Sequence, residues 1–88
     1  MATVYLPRSL VSLFLEPPPR HLAVEAETLG QMIRSLDSDW PGMADRLLEP
    51  GPQLREHINV FIDGEPGDLA SPVQPASVVH VLPAVSGG

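Results

Sequence analysis

Cysteine and lysine are both absent from the 88-residue sequence, and only 5% of its residues are aromatic. Without cysteine the chain has no disulfide, no thiolate nucleophile and no thiolate metal ligand. Packing alone must therefore stabilise the fold, and thiolate enzymes and thiolate metal sites are excluded.

Positive charge is also scarce in this sequence. Five arginines stand against eleven acidic residues, which gives a formal net charge of -6. A polyanion such as DNA or RNA is repelled by that field, so we expect no nucleic-acid partner. The longest strongly apolar run, residues 10–15, is far shorter than the ~20 residues that span a bilayer, and no targeting segment is visible. We therefore expect a cytoplasmic protein that does not enter a membrane.

The motifs of common active sites are missing as well. There is no glycine-rich nucleotide-binding loop, and the histidines at 21, 57 and 80 are isolated from other metal-ligating residues. No serine has the surroundings of a nucleophile. A chain of this length buries only ~60–65% of its unfolded surface, which leaves little volume for a deep substrate pocket. We therefore predict a protein that is not an enzyme and that binds no metal or cofactor of its own.

Alternation of apolar and polar residues predicts the first strands. Residues 3–6 alternate up to Pro7, and residues 21–27 place one set of apolar side chains on a single side, namely Leu22, Val24 and Ala26. We expect these two strands to pair antiparallel. Residues 10–15 fit a strand continuation, a short helical turn or an apolar loop, and the prolines at 17–19 force an extended connection.

A pair of helices is predicted next. Thr28 and Gln31 have the spacing of a capping box, and a periodic apolar stripe follows them, formed by Leu29, Met32, Ile33 and Leu36. A second, shorter helix is expected to start near Pro41, since proline is favoured in the first helical turn. Its apolar positions are expected to be Trp40, Ala44, Leu47 and Leu48.

Two further strands are predicted in the second half of the chain. Residues 57–62 place Ile58, Val60 and Ile62 on one face, and Asp63-Gly64 supplies a tight turn. A proline-rich connection follows, with Leu69 and Val73 pointing inward, and residues 78–82 form the last strand. This ββαβ order indicates an α+β fold with a mixed four- to five-stranded sheet, in which the last strand lies parallel beside the first.

The sequence ends on small residues directly after that strand. We expect residues 1–83 to form one domain and residues 84–88 to form a flexible tail that ends in Gly87-Gly88. An extended segment of about six residues reaches ~20 Å. Glycine lacks Cβ, so the backbone of another protein and a nucleotide can close tightly around the terminal carboxylate.

Four segments of the sequence resemble one protein family. Thr28-Leu29-Gly30, Arg46-Leu47-Leu48, residues 58–62 and residues 81–88 are similar to the MoaD/ThiS family of ubiquitin-like sulfur carriers, above all to its branch in cysteine biosynthesis. The resemblance implies a ubiquitin-like β-grasp fold, with the sheet packed on one main helix plus a short second helix. Residues 74–76 depart from the family, whose members often carry an acidic-Gly-Asp turn there.

The resemblance also implies a function for the last residues. In this family an adenylating enzyme of the ubiquitin-activating type uses ATP to convert the terminal carboxylate into an acyl-adenylate, and a sulfur donor then produces a thiocarboxylate. Gly88 would carry this chemistry, while Gly87 and Ser86 would give access to it. The preferred sulfur acceptor is a pyridoxal-phosphate-dependent cysteine synthase, with a metallopeptidase that releases the product. The large subunit of molybdopterin synthase comes next, and thiazole synthesis follows.

Other functions remain open from the sequence. The chain fits a protein modifier joined through Gly88 to lysines of other proteins, the small subunit of molybdopterin synthase, or a ubiquitin-like interaction module with an inert tail. We expect a partner-binding patch on the sheet face beside the tail, the alternative being that a helix covers this face. If Val79 and Val81 point inward, the outward patch comprises Asn59, Phe61, His80 and Leu82, together with Val85.

Overall fold

The structure, a computed structural model, describes residues 1–83, and residues 84–88 lie outside the described part. The helices are α1 (Arg8–Val11), α2 (Leu29–Asp39) and α3 (Met43–Leu47). The strands are β1 (Ala2–Tyr5), β2 (His21–Val24), β3 (Leu48–Glu49), β4 (Gln53–Leu54), β5 (Ile58–Ile62), β6 (Glu65–Pro66) and β7 (Val78–Pro83).

Five of the strands form one mixed sheet in the order β2-β1-β7-β5-β6. β1 is antiparallel to β2 and parallel to β7, while β5 is antiparallel to both β7 and β6. The last strand therefore lies at the centre of the sheet beside the first strand, as predicted. This parallel pairing is possible because the long connection through α2 crosses over between the strands. The α+β class and the mixed sheet are confirmed.

One face of the sheet is buried in the hydrophobic core. The inward strand residues include Ala2, Val4, Val60, Val79 and Val81, which are at most 3% exposed, and Val24, which is 8% exposed. The predicted stripe of α2 completes this core, and each of Leu29, Met32, Ile33 and Leu36 is at most 2% exposed. Leu69 is half-buried and Val73 is buried, and both pack here as predicted. Burial of these apolar side chains is the main stabilising contribution to the fold.

The start of α2 has the predicted cap. Thr28 Oγ1 accepts a hydrogen bond from the Gln31 N–H at 3.2 Å. Gln31 Oε1 accepts from the Glu27 N–H at 2.9 Å, one residue earlier than in the reciprocal capping box. The Gly30 N–H donates to the Leu69 carbonyl oxygen at 3.0 Å. A Cβ at Gly30 would lie 3.2 Å from that oxygen, so glycine permits this close approach.

The second helix begins later than predicted. α3 starts at Met43 and not near Pro41, because the Asp37 side chain reaches over from α2. Asp37 Oδ1 accepts hydrogen bonds from the Gly42 N–H at 3.1 Å and the Ala44 N–H at 2.9 Å. These bonds satisfy amide groups that the start of a helix otherwise leaves without partners. Gly42 has a φ of 102°, a conformation that favours glycine.

The structure also decides segments that the sequence left open or misassigned. Of residues 10–15, which the sequence left open, the first two belong to α1 and residues 12–15 form turns and bends, so the segment does not continue a strand. Residues 17–19 have no regular secondary structure. Leu48 was expected on the second helix, but it pairs with Leu54 in the two-stranded sheet of β3 and β4. The backbone N–H of Arg55 donates to the Leu47 carbonyl oxygen at 2.9 Å, which fastens the end of α3 to the chain after β4.

Two turns set the position of β7. Asp63 and Gly64, with φ values of 52° and 88°, form the predicted turn between β5 and β6. Residues 74–77 form the other turn, in which the Gln74 N–H donates to Ser77 Oγ at 2.9 Å and the Ser77 N–H donates to the Gln74 carbonyl oxygen at 3.0 Å. A buried serine therefore closes the turn at the position where the sequence departs from the family.

Candidate functional site

The four described residues of the expected patch lie on the outward face of the sheet. On the adjacent strands β5 and β7, Asn59 lies directly opposite Leu82, and Phe61 lies directly opposite His80. Asn59 and His80 are exposed, Phe61 is half-buried, and Leu82 is 43% exposed. Side chains at opposite positions of paired strands are near neighbours, so these four form one continuous surface. Its role in partner binding stays a prediction.

An aromatic row, formed by His21, Tyr5, His80 and Phe61, crosses the same face. The strand register places these residues side by side on β2, β1, β7 and β5. The Tyr5 ring stacks on the His80 ring with centroids 4.8 Å apart and planes at 11°, and on the His21 ring at 5.5 Å and 24°. The face therefore presents a flat strip of rings, with large contact area and polar edges.

The sequence-based prediction missed Tyr5 and His21. A signal for Tyr5 was available, since Val4 points inward and strand alternation then places Tyr5 outward. The sequence also predicted that the last strand lies beside the first. It did not give the register, which determines that Tyr5 meets His80.

A shallow groove lies at the end of the sheet where β7 ends. The side chains lining it include Tyr5, Pro7, Arg20, His80 and Leu82. Arg20 Nε donates to the Leu6 carbonyl oxygen at 3.3 Å, and the Leu6 N–H donates to the Arg20 carbonyl oxygen at 2.6 Å. A neutral carbonyl does not cancel the charge of a guanidinium. The groove therefore combines apolar walls with one positive charge.

The predicted reactive tail follows directly on this groove. Pro83, the last described residue, pairs with Ile58 and comes one position after the groove residue Leu82. Val85, Ser86, Gly87 and Gly88 lie outside the described residues. The last described part of β7 thus contributes His80 and Leu82 to the groove, and His80 also to the aromatic row.

At the opposite end of the sheet, an acidic side chain fixes the start of β7. The Val78 N–H donates to Asp63 Oδ1 at 2.8 Å. This hydrogen bond lowers the pKa of the Asp63 carboxyl below its ordinary value of 3.8, and a hydrogen bond with Ser77 acts in the same direction. The ionised form of Asp63 is therefore part of the turn that positions β7.

Residues 1–83 contain neither a metal-binding cluster nor a membrane-spanning helix. Within residues 1–83, no three side chains of the metal-ligating types stand close enough together to hold an ion. No helix of that same range is both long and apolar enough to cross a membrane. The outward face instead offers rings, an amide and aliphatic side chains, which suit contact with another protein.

Solved structures share this architecture. A chain in the crystal structure of the Amycolatopsis orientalis BexX/CysO complex superposes with a TM-score of 0.86 at 26% identity, covering 100% of both chains. Mycobacterium tuberculosis CysO gives a TM-score of 0.84 at 26% identity and covers 97% of this chain and 100% of that one. SAMP1 from Haloferax volcanii shares the fold, with a TM-score of 0.73 at 24% identity over 99% of this chain and 98% of that one. The protein is therefore a ubiquitin-like β-grasp protein.

Sequence comparison gives the family. The model of the ThiS family matches residues 18–88, so the chain belongs to the ThiS family. The sulfur carrier protein CysO of Mycobacterium tuberculosis is 29% identical over 75 residues, which cover 78% of this chain and 81% of that protein. Small archaeal modifier protein 3 of Haloferax volcanii is 34% identical over 65 residues, which cover 69% of this chain and 70% of that protein.

Proposed function

We propose that this chain is a sulfur carrier whose reactive group is the carboxylate of Gly88, and that it is not itself an enzyme. The ThiS-family match, which extends through Gly88, is the observation that supports this most directly. Relatives named as sulfur carriers support it further. The aromatic row and the groove beside residue 84 provide a contact surface for enzymes that act on the tail.

The proposed chemistry begins with activation, because a carboxylate is a poor electrophile. A Gly88 oxygen attacks the α-phosphorus of ATP on an adenylating enzyme of the ubiquitin-activating type, and pyrophosphate leaves. A sulfur donor at the oxidation level of sulfide then attacks the carbonyl carbon and displaces AMP, which leaves a thiocarboxylate. ATP is used by the partner and is not a cofactor of this chain. The chain has no cysteine and no lysine, so it carries no side-chain thiol or amine that could compete for the activated carbonyl.

The small size of the last residues matches this chemistry. Gly88 has no side chain to hinder attack at its carboxyl carbon, and Gly87 and Ser86 allow an enzyme to enclose the tail. The patch residues Asn59, Phe61, His80 and Leu82 would hold the carrier while its tail lies in the enzyme. Val85 would extend that contact along the tail.

Cysteine biosynthesis is the proposed destination of the sulfur. Proteins named CysO occur among both the sequence relatives and the structural neighbours. The acceptor would be a pyridoxal-phosphate-dependent cysteine synthase, with a metallopeptidase that releases the product. Molybdopterin synthesis is the second choice of pathway, and thiazole synthesis is the third. The solved complex of CysO with BexX supports a protein partner for this chain as well.

Intact-mass spectrometry tests the proposal. We expect incubation with ATP, an adenylating enzyme of the same organism and sulfide to exchange one oxygen for sulfur at Gly88. Deletion of Gly87 and Gly88 should abolish the exchange without changing the melting temperature. Ser86→Ala, which keeps both glycines, is the matched control and should retain it. Sulfur exchange in the deletion variant would show that Gly88 is not the reactive residue.

A protein modifier is the second candidate. The 34% identity with small archaeal modifier protein 3 favours it. In that case, a lysate supplied with ATP would contain heavier species in which Gly88 is joined to lysines of other proteins. The Gly87-Gly88 deletion would remove these species. Conjugates in the absence of any thiocarboxylate would replace the carrier assignment with the modifier assignment. Stable co-purification with a large synthase subunit would instead identify a small subunit of molybdopterin synthase.

A further inference from the structure

Two leucines that follow α1 are exposed to an unusual degree. Leu13 is 55% exposed and Leu15 is completely exposed, at 104% of its reference area. Phe14, between them, is half-buried and packs against the core. The segment is held in place by hydrogen bonds, since the Leu13 and Phe14 N–H groups donate to the Leu10 and Val11 carbonyl oxygens at 3.1 and 3.3 Å. Neither leucine gains much from folding, so both side chains are available for contact with another molecule.

Two arginines border Leu13, and Leu15 follows two residues later in the chain. Arg46 and Arg55 line the same shallow depression as Leu13, together with Gly42 and Asp45. The Arg46 guanidinium carbon lies 5.5 Å from the centre of the Phe14 ring. Arg55 Nε and Nη2 donate to the Asp45 carbonyl oxygen at 3.0 and 2.7 Å. A ring and a backbone carbonyl leave the positive charges of these arginines intact.

We name Leu13, Leu15, Arg46 and Arg55 the leucine–arginine surface. The Asp45 side chain is exposed beside it, and Glu16 follows Leu15, so the surface is not uniformly basic. It nevertheless holds two of the five arginines in a chain of net charge -6. Its two arginines can each pair with a carboxylate of a partner.

This surface adjoins the base of the tail. The Ile58 N–H donates to the Arg55 carbonyl oxygen at 2.9 Å, and Ile58 pairs with Pro83, the last described residue. The depression lined by Leu13 and Arg55 is therefore joined, through the backbone of Arg55 and Ile58, to the strand position opposite Pro83.

We infer that the leucine–arginine surface is a second docking site, distinct from the aromatic row. Its occupant is a segment of the adenylating enzyme in which an apolar side chain is flanked by carboxylates. The inference rests on the proposed function. The apolar side chain buries Leu13 and Leu15, while the carboxylates pair with Arg46 and Arg55. The enzyme thereby contacts the carrier at a site beyond the tail and the sheet face.

ATP–pyrophosphate exchange by the adenylating enzyme, measured over a range of concentrations of the full-length chain, tests this inference. The double variants Leu13→Ser/Leu15→Ser and Arg46→Gln/Arg55→Gln should each raise the KM for the carrier about tenfold, a change typical of losing one good contact. We expect kcat to stay unchanged, because Gly88 is intact. Arg34→Gln, which alters an exposed arginine on α2, is the matched control and should leave KM unchanged. Higher salt should raise the KM of the wild-type chain, but have a much smaller effect on Arg46→Gln/Arg55→Gln.

Several results would overturn the inference. If both double variants have the KM of the wild-type chain, and circular dichroism confirms that they are folded, the inference is wrong. Leu15→Ser alone guards against misfolding, because that side chain makes no contribution to the core. A wild-type dimer that the leucine variant turns into a monomer would assign the surface to a second copy. Leucine-dependent cosedimentation with anionic phospholipid vesicles would assign it to a membrane. If the wild-type chain supports no ATP–pyrophosphate exchange by the adenylating enzyme, the proposed function is contradicted, and so is this inference.

Discussion

Asp63 and Val78 are joined by two reciprocal hydrogen bonds. The Val78 N–H donates to Asp63 Oδ1, and the Asp63 N–H donates to the Val78 carbonyl oxygen, both at 2.8 Å. The pair fastens the turn after β5 to the first residue of β7. A single carboxylate therefore contributes to the position of β7, the strand that precedes the proposed reactive residues.

The pH dependence of stability should report this carboxylate. Asp63→Asn keeps the acceptor oxygen and a residue type that tolerates the φ of 52°, but it removes the ionisation. Because the folded-state pKa of Asp63 is lowered, the ionised group stabilises the fold above its ordinary pKa of 3.8, and this contribution is lost as pH falls through the folded-state value. The wild-type advantage in free energy of unfolding should therefore shrink from neutral to acid pH. Urea unfolding at several pH values measures it, and a pH-independent difference would contradict the assignment.

Truncation of a core side chain on α2 should destabilise the fold strongly. Leu36 is 2% exposed and packs in the core beneath the sheet. We expect Leu36→Ala to lower the free energy of unfolding by about 2–5 kcal/mol, through lost burial and the cavity that remains. Leu15→Ala removes the same atoms from an exposed position and should change the free energy by less than about 0.5 kcal/mol. Equal effects in urea unfolding would contradict the burial described for Leu36.

The cap of α2 should have a measurable energy. Thr28→Ala removes the oxygen that accepts from the Gln31 N–H, and it should cost about 1 kcal/mol of unfolding free energy. Thr28→Ser keeps a hydroxyl at the same position and should recover most of the loss. Thermal unfolding of the three proteins gives the comparison. Because Thr28 belongs to neither the aromatic row nor the leucine–arginine surface, we expect the folded Thr28→Ala variant to retain sulfur exchange.

The aromatic row should contribute to partner affinity. Tyr5→Ser removes the central ring of the row, and we expect it to weaken binding to the adenylating enzyme about tenfold, as for an aromatic residue that is important in an interface. Tyr5→Phe keeps the stacked ring and should bind nearly as well as the wild type. Isothermal titration calorimetry with the purified enzyme measures both dissociation constants. Indistinguishable values for Tyr5→Ser and wild type, with both folded, would remove Tyr5 from the interface.

The sequence predicted the elements that local patterns determine. Alternation along residues 3–6 and 78–82 identified two strands, and the apolar stripe after Thr28 identified α2 with its cap. The start of α3 could not be predicted in this way, because the Asp37 side chain of another helix supplies its amide partners. The pairing of Leu48 with Leu54 likewise depends on a tertiary contact that competes with helix propensity.

In the candidate site too, local patterns predicted some residues, and the others depend on tertiary structure. Alternation was sufficient to place Asn59, Phe61, His80 and Leu82 on one outward face. Adding Tyr5 and His21 required the register between strands, which is set by packing across the whole sheet. The leucine–arginine surface was beyond prediction for a similar reason, since its members come from distant parts of the sequence.

The central position of β7 has a mechanical consequence. This strand is bonded on one side by β1 and on the other by β5. Tension applied to anything attached beyond Pro83 acts along both ladders in shear, so many bonds resist it together. We therefore expect the body of the fold to stay intact when a partner pulls on the residues that follow Pro83, so that one molecule can serve in repeated cycles of the proposed transfer.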